Sequence, residues 1–409
     1  MRKMKKFVSL ALVAVLTVSS LTACGNNSSV GKDDAAAEND TAKESESKEG
    51  NSGGGDTFKI GGIGPTTGGA AVYGKAVENG AQIAADEINA AGGINGAQIE
   101  FKFEDDEHDP EKAVNAYNTL KDWGMQTLLG TVTSSPCIAV TDKTAQDNVF
   151  QLTPSGTAVK CVQYENAFRV CFSDPSQGVA SADYISDKGL ATKIGVIYDS
   201  SDPYSAGIYE AFAAEANEKG LEIVAAEAFT TDNNKDFSVQ LQKSKDAGAE
   251  LVFLPFYYQE AALVLKQAQG MDFAPIFFSC DGMDGILDVD GFDAALADGV
   301  KFLAPFSASA EDEMTQNFVE AYKAKCNEVP NQFAADAYDG IYIIKAAIEY
   351  AEVTPDMTAS QICDALKPAM TEITIDGVTA KGLTWTADGE PQKEPMVLEI
   401  KDGAYQVLQ

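Results

Sequence analysis

Phe58–Leu120 reads FKIGGIGPTTGGAAVYGKAVENGAQIAADEINAAGGINGAQIEFKFEDDEHDPEKAVNAYNTL. An apolar run at 58–63 leads into a helical pattern over 73–91, where Val77, Ala81, Ala84 and Ile88 fall on one face. Ile99–Glu104 (IEFKFE) then alternates strictly, as a half-exposed strand does. Asp109-Pro110 opens the next helix, an acid that can accept helix amides followed by a proline suited to the first turn. Strand, helix, strand, helix in this order predicts a parallel sheet covered on both faces.

The same grammar continues. Lys193–Tyr198 (KIGVIY), Leu251–Phe256 (LVFLPF) and Ile276–Cys280 (IFFSC) are continuous apolar runs, which read as buried strands. Two successive βαβ runs, 57–177 and 178–304, precede a helical stretch (311–327, 333–352, 360–369) and a strand-rich end. A body of this length exceeds what one core usually serves. The prediction is a two-lobed α/β fold, each lobe a mostly parallel sheet with helices on both faces. The first lobe takes 57–177 and 305–382, the second 178–304 and 383–409. A ligand cleft is expected between them, at the carboxyl ends of the strands.

Composition removes several functions. The chain carries 62 acidic against 30 basic residues among its 409, a formal charge of −32. Nucleic acid, which is bound by Lys and Arg displacing counterions, is excluded as a partner, and so is adhesion to anionic lipid through charge. His108 is the single histidine, so the commonest general base and metal ligand are nearly missing. It lies in the acidic run Glu104–Asp109, where it reads as a solvated loop residue. No second histidine supports a metal set, and no metal or cofactor is expected. The rival is an exported hydrolase using a carboxylate pair or Cys137 as nucleophile, and no histidine lies near Cys137 in sequence to serve as its base.

The first residues are an address. A basic start is followed by the twelve apolar residues Phe7–Val18, too few to span a bilayer, so 1–23 reads as a signal peptide. Leu21-Thr22-Ala23-Cys24 resembles the lipobox of bacterial lipoproteins, which implies that Cys24 becomes the lipid-bearing first residue. Residues 24–56, without an aromatic, Leu or Ile after the cysteine, cannot bury enough apolar surface to fold and read as a flexible tether.

Four loops at strand ends carry the polar and aromatic residues of the expected cleft. Gly61–Gly74 opens a helix and suits either an anion or a tight turn; its glycines miss dinucleotide spacing, since Thr67 stands at the third position. Gly130–Pro136 (GTVTSSP) and Thr153–Thr157 (TPSGT) offer hydroxyls and amides for a carboxylate, or serve as turn and capping clusters. Tyr257 and Tyr258 follow LVFLPF, and Asp281 follows IFFSC. An acid at the end of a buried strand is costly unless paired, and a ligand ammonium would pair it.

These residues resemble the leucine/isoleucine/valine-type solute-binding proteins of ABC importers, with the type I periplasmic-binding fold. The resemblance extends over 57–409 and is densest in GAQIAADEINAAGGING and in the Asp-Pro after the second strand. It implies that Ser134, Ser155 and Thr157 bind a ligand's α-carboxylate and α-amino groups and that Asp281 pairs with the ammonium. Tyr73, Tyr204 and Tyr257 match aromatics of the pocket. Members of that family join two cysteines where this chain has His108 and Thr133, so that bridge is absent here.

Cys161 and Cys171, flanking a turn, are the best disulfide candidates for an exported chain. Cys326 with Cys363 is a weaker pair, and Cys137 and Cys280 read as free buried thiols. The resemblance implies a monomer at the outer face of the cell membrane, anchored by lipid, that captures a small amino acid and delivers it to ABC permease subunits. The alternatives are a ligand-sensing module serving a receptor, or a binder of an amide or carboxylic acid.

Overall fold

The structure, a computed structural model, describes residues 57–408; the signal peptide, Cys24 and the 24–56 tether lie outside the described residues. Strands β1 (Thr57–Gly64), β2 (Gln98–Asp105), β3 (Thr127–Gly130), β4 (Phe150–Thr153) and β5 (Ala167–Arg169) form one sheet. Its order is β2-β1-β3-β4-β5 and every pairing is parallel. Helices α1 (Ala71–Ala90), α2 (Pro110–Trp123) and α3 (Ser134–Asp147) make the crossovers. Each parallel pair needs such a crossover, which is why the sequence alternates.

After α4 (Asp174–Asp187) the chain builds a second sheet. It contains β6 (Lys193–Asp199), β7 (Glu222–Phe229), β8 (Leu251–Leu254), β9 (Ile276–Ser279) and β10 (Lys301–Ala304), with the intervening helices α5 (Pro203–Glu218), α6 (Ser238–Asp246) and α7 (Tyr258–Gly270). Three helices follow, α8 (Glu313–Cys326), α9 (Gln332–Tyr350) and α10 (Ala359–Ala369). They return to the first sheet, where α9 packs along α1 and α10 lies against β4. The chain then crosses back, and β11 (Met396–Lys401) and β12 (Ala404–Val407) complete the second sheet in the order β12-β11-β10-β9-β8-β6-β7. These last two strands pair antiparallel.

The architecture is the two-lobed α/β fold read from the alternation. β3, β4 and β8 are buried throughout, as continuous apolar runs require. β7 (EIVAAEAF) was not legible as a strand, because it is a half-exposed edge whose Ala and Glu favour helix. In both sheets the strand order reverses beside the strand next to an edge, β1 in the first and β6 in the second. Crossover loops diverge there, and the space between them is where ligands of such sheets sit.

The passage between sheets is fastened by a buried ion pair. Lys393 Nζ lies 2.8 Å from Asp336 Oδ1 on α9, and it also donates to Thr379 Oγ1 at 2.8 Å and the Val170 carbonyl at 3.2 Å. Three acceptors around one ammonium satisfy it without water, the condition for keeping a charge inside.

Cys161 and Cys171 are not joined, which corrects the pairing expected from their spacing. Both are free and buried. Cys161 points toward α3, its Sγ 3.7 Å from the Ser134 carbonyl. Cys171, just past β5, feels Arg169, Asp336 and Lys393 instead. The strand between them sends the two thiols into different surroundings.

Candidate functional site

The loop after β1 answers its own charge. Asp105, at the end of β2, accepts the Thr66 amide at 2.9 Å, the Thr67 amide at 3.4 Å and the Thr67 hydroxyl at 2.5 Å. Although its partial burial acts the other way, these bonds hold its carboxyl below the usual range. The anion that the glycine-rich turn favours is therefore a side chain of the next strand, and the turn is spent on fold.

The loops after β3 and β4 form one wall. α3 begins at Ser134 with Thr133 extended before it, and no side chain caps its first amides. Those amides and the positive end of the helix are left for another acceptor. The Ser134 hydroxyl accepts the Ala158 amide at 3.2 Å, and Ser155 donates to the Val132 carbonyl at 2.7 Å. The two serines thus staple the loops to each other. The hydroxyl of Thr157 is buried, with no close hydrogen bond, and faces the Asp174 carboxyl.

Arg169, wholly buried, holds this wall from behind. Its guanidinium donates to the carbonyls of Gly156, Thr157 and Ala158, and reaches Glu390 at 3.2 Å. Its own carbonyl accepts the Trp385 indole N–H at 2.8 Å. A planar fork with several donors suits such a run of carbonyls, which an ammonium could not span.

The facing wall comes from the second sheet. Tyr204, in the first turn of α5, donates to Asp281 Oδ1 at 2.7 Å, and the Gly282 amide reaches the same oxygen at 2.9 Å. Burial pushes the Asp281 carboxyl up to about 6 despite these bonds. Gly282 is required here: a Cβ would sit 2.7 Å from the Tyr204 hydroxyl. Tyr257 stacks on Tyr204, ring centres 4.9 Å apart and 4° between planes. Tyr73, from α1, meets Tyr257 edge-on at 5.8 Å, and its hydroxyl donates to the Gly282 carbonyl at 2.5 Å. A group from the first-sheet side thereby touches the loop that carries the acid.

Of the seven residues singled out in the sequence, Tyr73, Tyr204, Tyr257 and Asp281 come together here, while Ser134, Ser155 and Thr157 lie in the loops after β3 and β4. Others were missed. Asp202 caps α5 and accepts the Ser135 hydroxyl at 3.4 Å from the other wall; burial raises it to about 6. Both oxygens of Asp174 and the Gln177 amide nitrogen, on α4, are buried without a hydrogen bond. Burial drives Asp174 well above the carboxylate range. Asp109 and Asp202 each cap the helix whose first residue is proline; in Ser173-Asp174-Pro175 the cap is Ser173, so the carboxylate is left over. The Asp-Pro pair was visible, but the shift of register was not.

His108 is half-buried rather than solvated. Its Nδ1 lies 2.8 Å from Thr133 Oγ1, and its ring meets Tyr257 edge-on at 5.4 Å. His108 and Thr133, far apart in sequence, are thus joined by a hydrogen bond. Burial lowers the imidazole pKa, against the pull of Asp109 and Asp199, so the neutral ring is the favoured form.

Two α/β lobes meeting over a buried polar cleft, with an acid fixed on one wall and a helix start on the other, have the anatomy of a bilobal binding protein. The chain belongs to the periplasmic binding protein family, whose sequence model matches residues 57–404. It is 32% identical over 302 residues to Leu/Ile/Val-binding protein homolog 3 of Brucella melitensis, covering 73% of this chain and 81% of that one. It is 30% identical over 310 residues to the leucine-, isoleucine-, valine-, threonine- and alanine-binding protein of Pseudomonas aeruginosa, covering 75% and 82%. Among solved structures, the branched-chain amino acid transporter substrate-binding protein LivJ of Streptococcus pneumoniae, in complex with isoleucine, superposes with a TM-score of 0.77. The identity there is 31%, over 86% of this chain and 99% of that one.

Proposed function

We propose that this chain is an extracytoplasmic lipoprotein, held at the outer face of the cell membrane through Cys24, that captures a small amino acid of branched-chain or similar type and delivers it to an ABC permease. The observation that carries the reading is the Asp281 carboxylate, oriented by Tyr204 and Gly282 and raised by burial, on the wall facing α3. An ammonium beside it would stabilise its buried charge, while the uncapped start of α3 and the Thr157 hydroxyl suit a carboxylate. The names of the relatives, all binding proteins, support a binder over a catalyst. His108 bonds Thr133, which leaves the hydrolase reading without a base at Cys137.

Residues 57–177 with 305–382 would move as one lobe against 178–304 with 383–409. Ligand stabilises the closed arrangement by binding it more tightly, and closure is the signal a permease reads. Tyr73–Gly282 and Ser135–Asp202 are the bonds that closure would make.

A thermal-shift screen of the protein against the twenty amino acids, simple amides and carboxylic acids tests the ligand class, because a ligand bound only to the native state raises its stability. Leucine, isoleucine or valine should give the largest rise. A rise with an amide or acid that has no ammonium, and none with any amino acid, would sink the proposal. For the anchor, Cys24→Ser should leave the membrane fraction; a variant that fractionates like wild type would show that the lipid is elsewhere.

A further inference from the structure

We propose that Cys137 and Cys161 are an oxidisable pair that closes into a disulfide beneath the two first-lobe loops of the binding cleft. Cys137 lies in the first turn of α3 and Cys161 in the short turn Val159–Val162 that follows Thr157. Both side chains are wholly buried, and with Ala158 they pack into a small cluster of their own, apart from the main core. Cys161 Sγ also faces the Ser134 carbonyl at 3.7 Å. Cys137 Sγ receives the Gln151 amide at 3.4 Å, and a Cβ on Gly156 would stand 3.0 Å from it. A side chain at position 156 would therefore press on this sulfur.

The surroundings divide the two thiols into attacker and partner. Burial would raise the Cys137 thiol, but hydrogen bonds from Cys161 and Thr153 and the Thr131 backbone outweigh it, with Arg169 adding attraction, and bring it down to about 7. Burial pushes Cys161 well up, so it keeps its proton. A thiolate near its neutral partner at a helix start is the arrangement in which one sulfur attacks and the other resolves. Among the other described cysteines, Cys280 meets the Ser181 hydroxyl at 3.8 Å, and Cys171 lies near Arg169.

The oxidant is a small disulfide of the exported compartment, with oxidised glutathione as its laboratory probe. The Cys137 thiolate attacks one sulfur of it, forming a mixed disulfide and releasing one glutathione thiolate. Cys161 then gives up its proton and attacks the Cys137 sulfur, expelling the second glutathione. Two protein thiols lose two electrons and two protons, and one glutathione disulfide becomes two thiols. The new bond ties the first turn of α3 to the turn after Thr157, where Ser134–Ala158 already links the same loops.

The consequence for ligand binding rests on the proposed amino-acid site; the chemistry of the bond does not. The test unfolds and reduces the full chain, which removes any barrier of access, and refolds it in a buffer of oxidised and reduced glutathione at about pH 8. Trapping free thiols and mapping peptides should find Cys137 joined to Cys161, with Cys171, Cys280, Cys326 and Cys363 alkylated. Reduction should then lower the melting temperature by about 5 °C in the wild type and leave Cys161→Ala unmoved. Both thiols recovered alkylated, or either joined to another cysteine, would overturn the proposal. Loss of amino-acid binding with the bond intact would count against the ligand reading alone.

Discussion

Asp281→Asn should make the ligand-free protein more stable and its ligand weaker. The carboxyl sits at about 6 because burial penalises its charge, against 3.8 in an exposed chain. Keeping it ionised near neutral pH therefore costs the ligand-free fold about 3 kcal/mol. A raised carboxyl contributes stability that is full below 3.8 and lost as the pH climbs through about 6. Asparagine removes that dependence. Its oxygen can still accept from Tyr204 and Gly282, which hold Asp281 Oδ1 at 2.7 and 2.9 Å, so the loop keeps its shape. The ligand loses more: stranding an ammonium against an amide costs about 2–5 kcal/mol, roughly thirtyfold to several-thousandfold in Kd. Calorimetric titration at pH 7.5, paired with melting curves from about pH 5 to 8, measures both sides. Binding within about threefold of wild type would show that no charge meets Asp281. A melting temperature that falls together with affinity would show the carboxylate to be a structural brace, and would refute the reasoning.

Lys393→Met should lower stability by about 3–5 kcal/mol in denaturant titration, because it strands Asp336; adding Asp336→Leu should recover most of the loss. Arg169→Lys keeps the charge but not the fork that reaches three consecutive carbonyls, so ligand affinity should fall about tenfold or more by calorimetry, with unchanged affinity showing that Thr157 is positioned without it. His108→Ala and Thr133→Val should show a coupling of about 1 kcal/mol in a double-mutant cycle, whereas additive effects would mean that their contact at 2.8 Å does no more than pack.

The periodicity of residues 57–304 and the loops that end in hydroxyls, tyrosines and Asp281 were legible because each is a local property. A strand buried on both faces must be apolar, and a helix over a sheet must repeat near 3.6 residues. Position in the cleft follows from such strands, since ligand loops leave their carboxyl ends. Asp105 was harder: its role as the anion of the glycine turn depends on β2 lying beside β1, a pairing no spacing states. His108 looked solvated because its neighbours in sequence are acids, while its neighbours in space are Thr133 and Tyr257.

What the sequence determined alone was the α/β architecture and the residue types brought to the strand ends, for these rest on interactions within a few residues. Tertiary structure decided how those side chains are used. The Ser155 hydroxyl bonds the Val132 carbonyl across the loops; Cys161 was expected beside Cys171 and packs with Cys137. Asp174, a register away from capping its helix, is left buried, with Thr157 as its neighbour. Each outcome turns on which partner a buried polar atom meets across the packed interior. Because a buried group must be satisfied wherever the fold offers a partner, that choice belongs to contacts distant along the chain.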